Sequence, residues 1–189
     1  MALPARRRAN YEDLLAVPSH KVAEIIDGEL LVSPRPAIPH AKASSALGAV
    51  VGGPFGIGTG GPGGWVILFE PELHFGDDVI VPDLAGWRRE QMPVAPQAAY
   101  ISLAPDWVCE VVSLITEKVD RADKLPVYAR ERVAHAWLVN PLARTLEVFA
   151  LDGSRWTLLG TFAGDKKVRV VPFDAVEIDL PLLWPETQS

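Results

Sequence analysis

WVCEVVS, residues 107–113, holds one glutamate inside an otherwise almost wholly apolar run. A strand that is apolar at nearly every position, rather than at alternate ones, belongs in a sheet covered on both faces. Downstream, residues 116–133 have helical spacing, and AWLV at 136–139 reads as a second buried strand. Strand, helix and strand of these lengths predict a right-handed crossover between two parallel strands. Upstream, WVILFEPELHF (65–75) and VIVPDLAGW (79–87) read as two strands around the turn Gly76-Asp77-Asp78. Asp27-Gly28 centres a hairpin over 22–33, because glycine permits the positive φ that a tight turn needs. Residues 11–16 and 40–51 are expected as helices, the second with Pro39 suited to the first helical position. The glycine-rich stretch after residue 51 is expected to be a mobile loop, and 88–105 a proline-bearing connection. A second hairpin is expected over 146–150 and 156–162 about Asp152-Gly153, then a short strand and an extended tail over 168–183. The expected fold is an α/β, or α+β, mixed central sheet flanked by helices. It forms one domain over 11–189, preceded by a flexible basic tail over 1–10 that carries Arg6, Arg7 and Arg8.

A chain of 189 residues, with 49% hydrophobic and 22% charged side chains, is long enough to bury one core without cross-links. Its single cysteine, Cys109, forms no internal disulfide and gives no sign of an oxidising compartment. No secretory signal is visible at the N-terminus, so a cytoplasmic location is expected. Residues 43–69 carry no charge, a length that reaches across a bilayer. The glycines and prolines crowded there cost a helix roughly 1 and roughly 3 kcal/mol each, so no membrane span is expected. The net charge of −6 argues against strong nonspecific binding to duplex DNA, which depends on neutralising phosphates. The local basic groups (Arg6 to Arg8, Arg88 with Arg89, 121–132 and 166–169) read first as solvated faces.

Chemistry enters with the acids. An ionised carboxylate buried in a strand is costly unless paired or bound to a cation. Alternation places Val108, Glu110 and Val112 on one face and Trp107, Cys109 and Val111 on the other. Asp83 is likewise set between VIVP and LAGW. Two such acids form an oxygen-ligand site for a hard divalent cation such as Mg²⁺; the plainer reading is that each caps a strand end or pairs with an arginine. Thr116, Asp120, Lys124 and Tyr128 recur every four residues and share one helical face. That face is able to return toward the carboxylates, or to hold an ordinary Asp120–Lys124 ion pair.

The ordered set of motifs resembles the Uma2 family of putative restriction endonucleases. It comprises Glu24 in EIIDGEL, His40 after a proline-rich turn, VPD ending at Asp83, and DWVCEVVS around Glu110. Thr116, Asp120, Lys124, Tyr128 and AWLVNP (136–141) complete it, so that the likeness spans residues 11–180. That family is similar in fold to the PD-(D/E)xK nucleases, which implies a restriction-endonuclease-like core. The resemblance implies catalytic roles for Asp83, Glu110, Lys124 and Glu24, with Mg²⁺, or Mn²⁺, held by Asp83 and Glu110. The lysine that ordinarily follows the second acid by two positions is Val112 here, and Lys124 on the next helix takes its place. His40 is expected to face the same cleft. The chain departs from the family pattern at Leu114-Ile115, where Pro-Ser is usual, at Arg132, where glycine is usual, and at Pro126, expected to kink the helix after Lys124. The function so implied is Mg²⁺-dependent hydrolysis of DNA; the alternative is a catalytically silent nucleic-acid-binding or regulatory module, or a hydrolase of RNA or nucleotides. A homodimer is expected, with LPLLW (180–184) as an exposed apolar patch for a second copy.

Overall fold

Trp107 to Val111 is buried at all five positions in the computed structural model, which describes residues 7–186. In chain order the elements begin with α1 (Tyr11–Leu15), β1 (Lys21–Ile26), β2 (Glu29–Pro34) and α2 (Ile38–Leu47). A wider, π-type helical segment, Gly48–Ile57, continues α2. Then come β3 (Trp65–Phe69), β4 (Leu73–Phe75), β5 (Asp78–Ile80), β6 (Leu84–Arg88) and β7 (Trp107–Val111). The crossover helix is α3 (Glu117–Val119), a π-type segment Asp120–Lys124, and α4 (Leu125–Arg130). It leads to β8 (His135–Asn140), followed by β9 (Thr145–Asp152), β10 (Arg155–Ala163), β11 (Lys167–Val168) and β12 (Ile178–Asp179). A short 3₁₀ turn, Leu180–Leu183, follows.

Six strands form the main sheet in the order β10-β9-β8-β7-β6-β3. The β7–β8 pair is parallel, with Trp107 opposite His135 and Val111 opposite Val139, and the other pairs are antiparallel. The two strands expected at the centre are there. A second sheet, β2-β1-β5-β4, lies beside it. One core contains Trp107, Cys109, Val111, Trp137 and Phe173, a second Val108, Val112, Tyr128 and Leu138, and a small third Leu14, Ile25 and Val79. The alternation read from WVCEVVS therefore separates two cores, and Glu110 belongs to the face of the second.

Three expectations need correction. The runs 65–75 and 79–87 are not two strands but four, broken at Glu70 (φ 43°) and at Val81-Pro82-Asp83, with each half in a different sheet. Pro71 and Pro82 supply the reason, since a residue without an N–H cannot continue a ladder. Asp83 therefore stands at a strand break, not inside a strand. The helix expected to end at residue 51 runs on through Ile57, and only 58–64 is loop. Gly58, at φ 85°, closes the helix by donating its N–H to Gly53 O, in the left-handed conformation glycine adopts without strain. Within it Gly48 meets the Phe69 ring so closely that a Cβ would overlap it. Lastly, the patch expected at 180–184 is core: Leu180, Leu183 and Trp184 are buried, and Trp184 Nε1 donates to Gly164 O at 3.0 Å. Only Leu182 is exposed, so the expected homodimer loses that surface.

Of the expected basic tail, residues 1–6, with Arg6, lie outside the described residues. Arg7 pairs with Asp13, Ala9 N donates to Gly28 O, and Asn10 caps α1 through Asp13 N. No helix among the described residues is long and apolar enough to cross a membrane.

Candidate functional site

The break at Val81-Pro82-Asp83 frees backbone groups that the ladder would otherwise use, and site side chains take them up. Val81 N donates to Glu24 Oε1 at 2.8 Å, and Val81 O accepts from Lys124 Nζ at 3.2 Å. Where β6 parts from β7, Val111 N donates instead to Asp83 Oδ2 at 2.7 Å. Asp83 thus does cap a strand end, with one oxygen; its other, Oδ1, lies 3.1 Å from His40 Nε2 on α2.

Glu110 is held from two sides. Tyr128 OH donates to Oε1 at 2.6 Å, and Lys124 Nζ lies 3.4 Å from Oε2. The same ammonium is 2.9 Å from Glu24 Oε1 and 3.7 Å from Asp120 Oδ1. Lys124 therefore faces three buried carboxylates drawn from β1, β7 and its own helix. The helical face read from the sequence carries all its members to this point, although the helix is π-wound there: Leu125 N donates to Asp120 O, five residues back. The widened turn stands directly ahead of Pro126, which has no N–H of its own.

Burial pushes the Glu110 carboxyl well above the usual carboxylate range; Lys124 opposes this, while Asp120, Asp83 and Glu24 add to it. Asp120 is pushed up to about 6, chiefly by burial and against the pull of Lys124 and the Thr116 hydroxyl. Burial works to lower the Lys124 ammonium, yet Glu110, Glu24 and Asp120 hold it well above its ordinary value. The cluster thus keeps its lysine charged and resists full ionisation of its acids. His40 is raised too: burial opposes the charged ring, but the hydrogen bond and charge of Asp83, helped by Asp120 and Glu70, outweigh it.

A cavity of about 330 Å³ opens over these groups. Glu24, His40, Asp83, Glu110 and Lys124, each singled out from the sequence, all line it, as does Asp120, a member of the helical face read as able to return toward the carboxylates. Glu70, also on the wall, was missed. Its signal was the Glu-Pro break at 70–71, which looked like strand interior. Among the described residues no cage of three or more His, Cys, Asp or Glu side chains is assembled for a metal.

A mixed sheet with one parallel crossover pair, and acids where its strands part, defines a restriction-endonuclease-like fold. The sequence matches the Uma2 family, described as "Putative restriction endonuclease", over residues 9–182, and the chain belongs to that family. It is similar in structure to a putative nuclease belonging to DUF820 from Anabaena variabilis. The TM-score is 0.69 at 20% identity, covering 93% of this chain and 97% of the other. No curated protein matches the sequence.

Proposed function

We propose that the protein is a divalent-cation-dependent nuclease that hydrolyses phosphodiester bonds of DNA in the cavity over Asp83, Glu110 and Lys124. The observation that carries this reading is the convergence of Glu24, Asp83, Glu110 and Lys124, from four separate segments, on one cavity wall. Their donor set suits Mg²⁺ or Mn²⁺: two carboxylates beside open space fit an ion that uses one or two carboxylates and keeps several waters. Asp83 and Glu110 would hold it, and its chemistry is polarisation of a phosphate oxygen and a lowered pKa for water.

The protein's own contribution is placement and charge. The bond from Val111 N and the pair with His40 fix the Asp83 carboxylate, and Tyr128 fixes Glu110. Lys124, kept charged by its acids, would offer a positive group to the charge that develops on the phosphate. Glu24 holds that ammonium in place and is itself held by Val81 N.

The test is cleavage of plasmid DNA by purified protein with Mg²⁺ or Mn²⁺. Cutting should vanish with a chelator and fall by more than about a hundredfold in Asp83→Ala and Glu110→Ala. Undiminished cutting by Asp83→Ala overturns the assignment. Binding without cutting by the wild type favours the silent-module alternative.

A further inference from the structure

The reacting groups proposed above lie on the floor of a cavity, and its mouth is lined by apolar side chains. Leu114 is 87% exposed, Ile115 70% and Leu142 60%, all three on the cavity lining. Large apolar groups left in water beside a polar site mark a binding surface. They stand where a protein that follows a duplex backbone would present lysine and arginine.

The charge around them points the same way. Five acids line the cavity, against three basic residues: Lys124, committed to three of those acids, His40, paired with Asp83, and Arg35, whose Nη2 donates to Ser19 O. On the crossover helix Arg121 is paired with Glu147 and Arg130 with Asp78. A regular duplex approaching this face meets an apolar rim with few cations, Arg35 and Lys118 being exposed, and its phosphates stay on the outside of the helix. A strand whose bases are unpaired is able to lower one nucleotide into the cavity while an adjoining base packs on the apolar rim. Leucine and isoleucine serve elsewhere as wedges that part stacked bases, and enzymes that act in a closed pocket take single-stranded or extruded nucleotides.

We infer that the substrate is an unpaired DNA segment, a single strand or a loop in a duplex, gripped at the cavity mouth by Leu114 and Ile115. This rests on the nuclease reading for its chemistry, but not for its binding. Because both side chains are exposed, replacing them leaves the fold intact, which thermal unfolding checks.

The experiment compares a fluorescein-labelled oligodeoxynucleotide, the same strand in a perfect duplex, and a duplex with an unpaired loop. Binding is read by anisotropy in Ca²⁺ and cleavage in Mg²⁺ or Mn²⁺. The single strand and the loop should be bound on the order of tenfold or more better than the duplex. Leu114→Ser with Ile115→Ser should weaken single-strand binding on the order of tenfold, and Leu114→Met with Ile115→Val should restore it. Equal or better binding and cutting of the perfect duplex overturns the inference and leaves the nuclease reading standing. Single-strand preference without cutting in any form does the reverse. No binding of any of the three removes both.

Discussion

Lys124 meets Glu24, Glu110 and Asp120 with all four side chains buried. Removing one partner from a buried charge network leaves the others uncompensated, at about 3–5 kcal/mol. Lys124→Ala should therefore lower stability by that amount in urea unfolding, whatever happens to activity. Millimolar Mg²⁺ should recover part of it, since a cation again faces the acids. A stability change under 1 kcal/mol would contradict the buried network. Asp120 carries a pH signature of its own. Its carboxyl is raised to about 6 from 3.8, so the folded state holds the proton more tightly than the unfolded one. The stabilisation this gives is present at low pH and is lost as pH rises from about 4 through about 6. Relative to Asp120→Asn, the wild type should thus lose stability across that window and hold a constant gap above pH 7. A gap that stays level from pH 4 to 7 in thermal unfolding would count against the shift. Glu110 and Lys124 were legible in the sequence because a charge inside an apolar or amphipathic pattern has to be explained. Glu70 was not, because residues 65–75 read as one continuous strand, in which a single acid looks like a solvent-facing position.

At the scale of elements, patterning located the strand regions up to β11 and the crossover, but not β12, which fell in the expected extended tail, nor where the long runs divide. The sign was present in Pro71 and Pro82, each inside a run read as continuous. What pattern could not show was that the halves part into two sheets, since that depends on pairing between segments far apart in sequence. Nor did the spacing of Thr116, Asp120, Lys124 and Tyr128 reveal π-winding, because all four still reach one side when a turn widens. Arg132 illustrates the opposite case. It sits at φ 65° just after α4, and its Nη1 donates to Gly153 O from an exposed position. A left-handed conformation costs a non-glycine residue about 1–2 kcal/mol, which is why glycine suits this turn. Arg132→Gly should stabilise the fold by about 1 kcal/mol after its entropy cost is deducted, read as a higher urea midpoint. A loss of stability would mean the bond to Gly153 outweighs the backbone strain.

Across the whole molecule, the six-stranded and four-stranded sheets are joined at the site as well as through their cores. Glu24 belongs to the smaller sheet, Glu110 to the larger, and Lys124 to the helix between β7 and β8. The burial of Leu180, Leu183 and Trp184 was not legible, because an apolar run near a terminus reads equally as patch or as core. Only the packing of Leu180–Leu183 on α2 decides between them. One detail of the join reaches further. The amides of Val81 and Val111 give their protons to Glu24 and Asp83, not to a neighbouring strand. Protection of those two hydrogens from solvent exchange therefore follows the state of the site carboxylates, not the strength of either sheet. Any ion that draws those oxygens away should quicken exchange at Val81 and Val111 while ladder amides such as Val139 keep their pace. The resting protein thus carries two built-in gauges of occupancy, readable by deuterium uptake before a substrate is known.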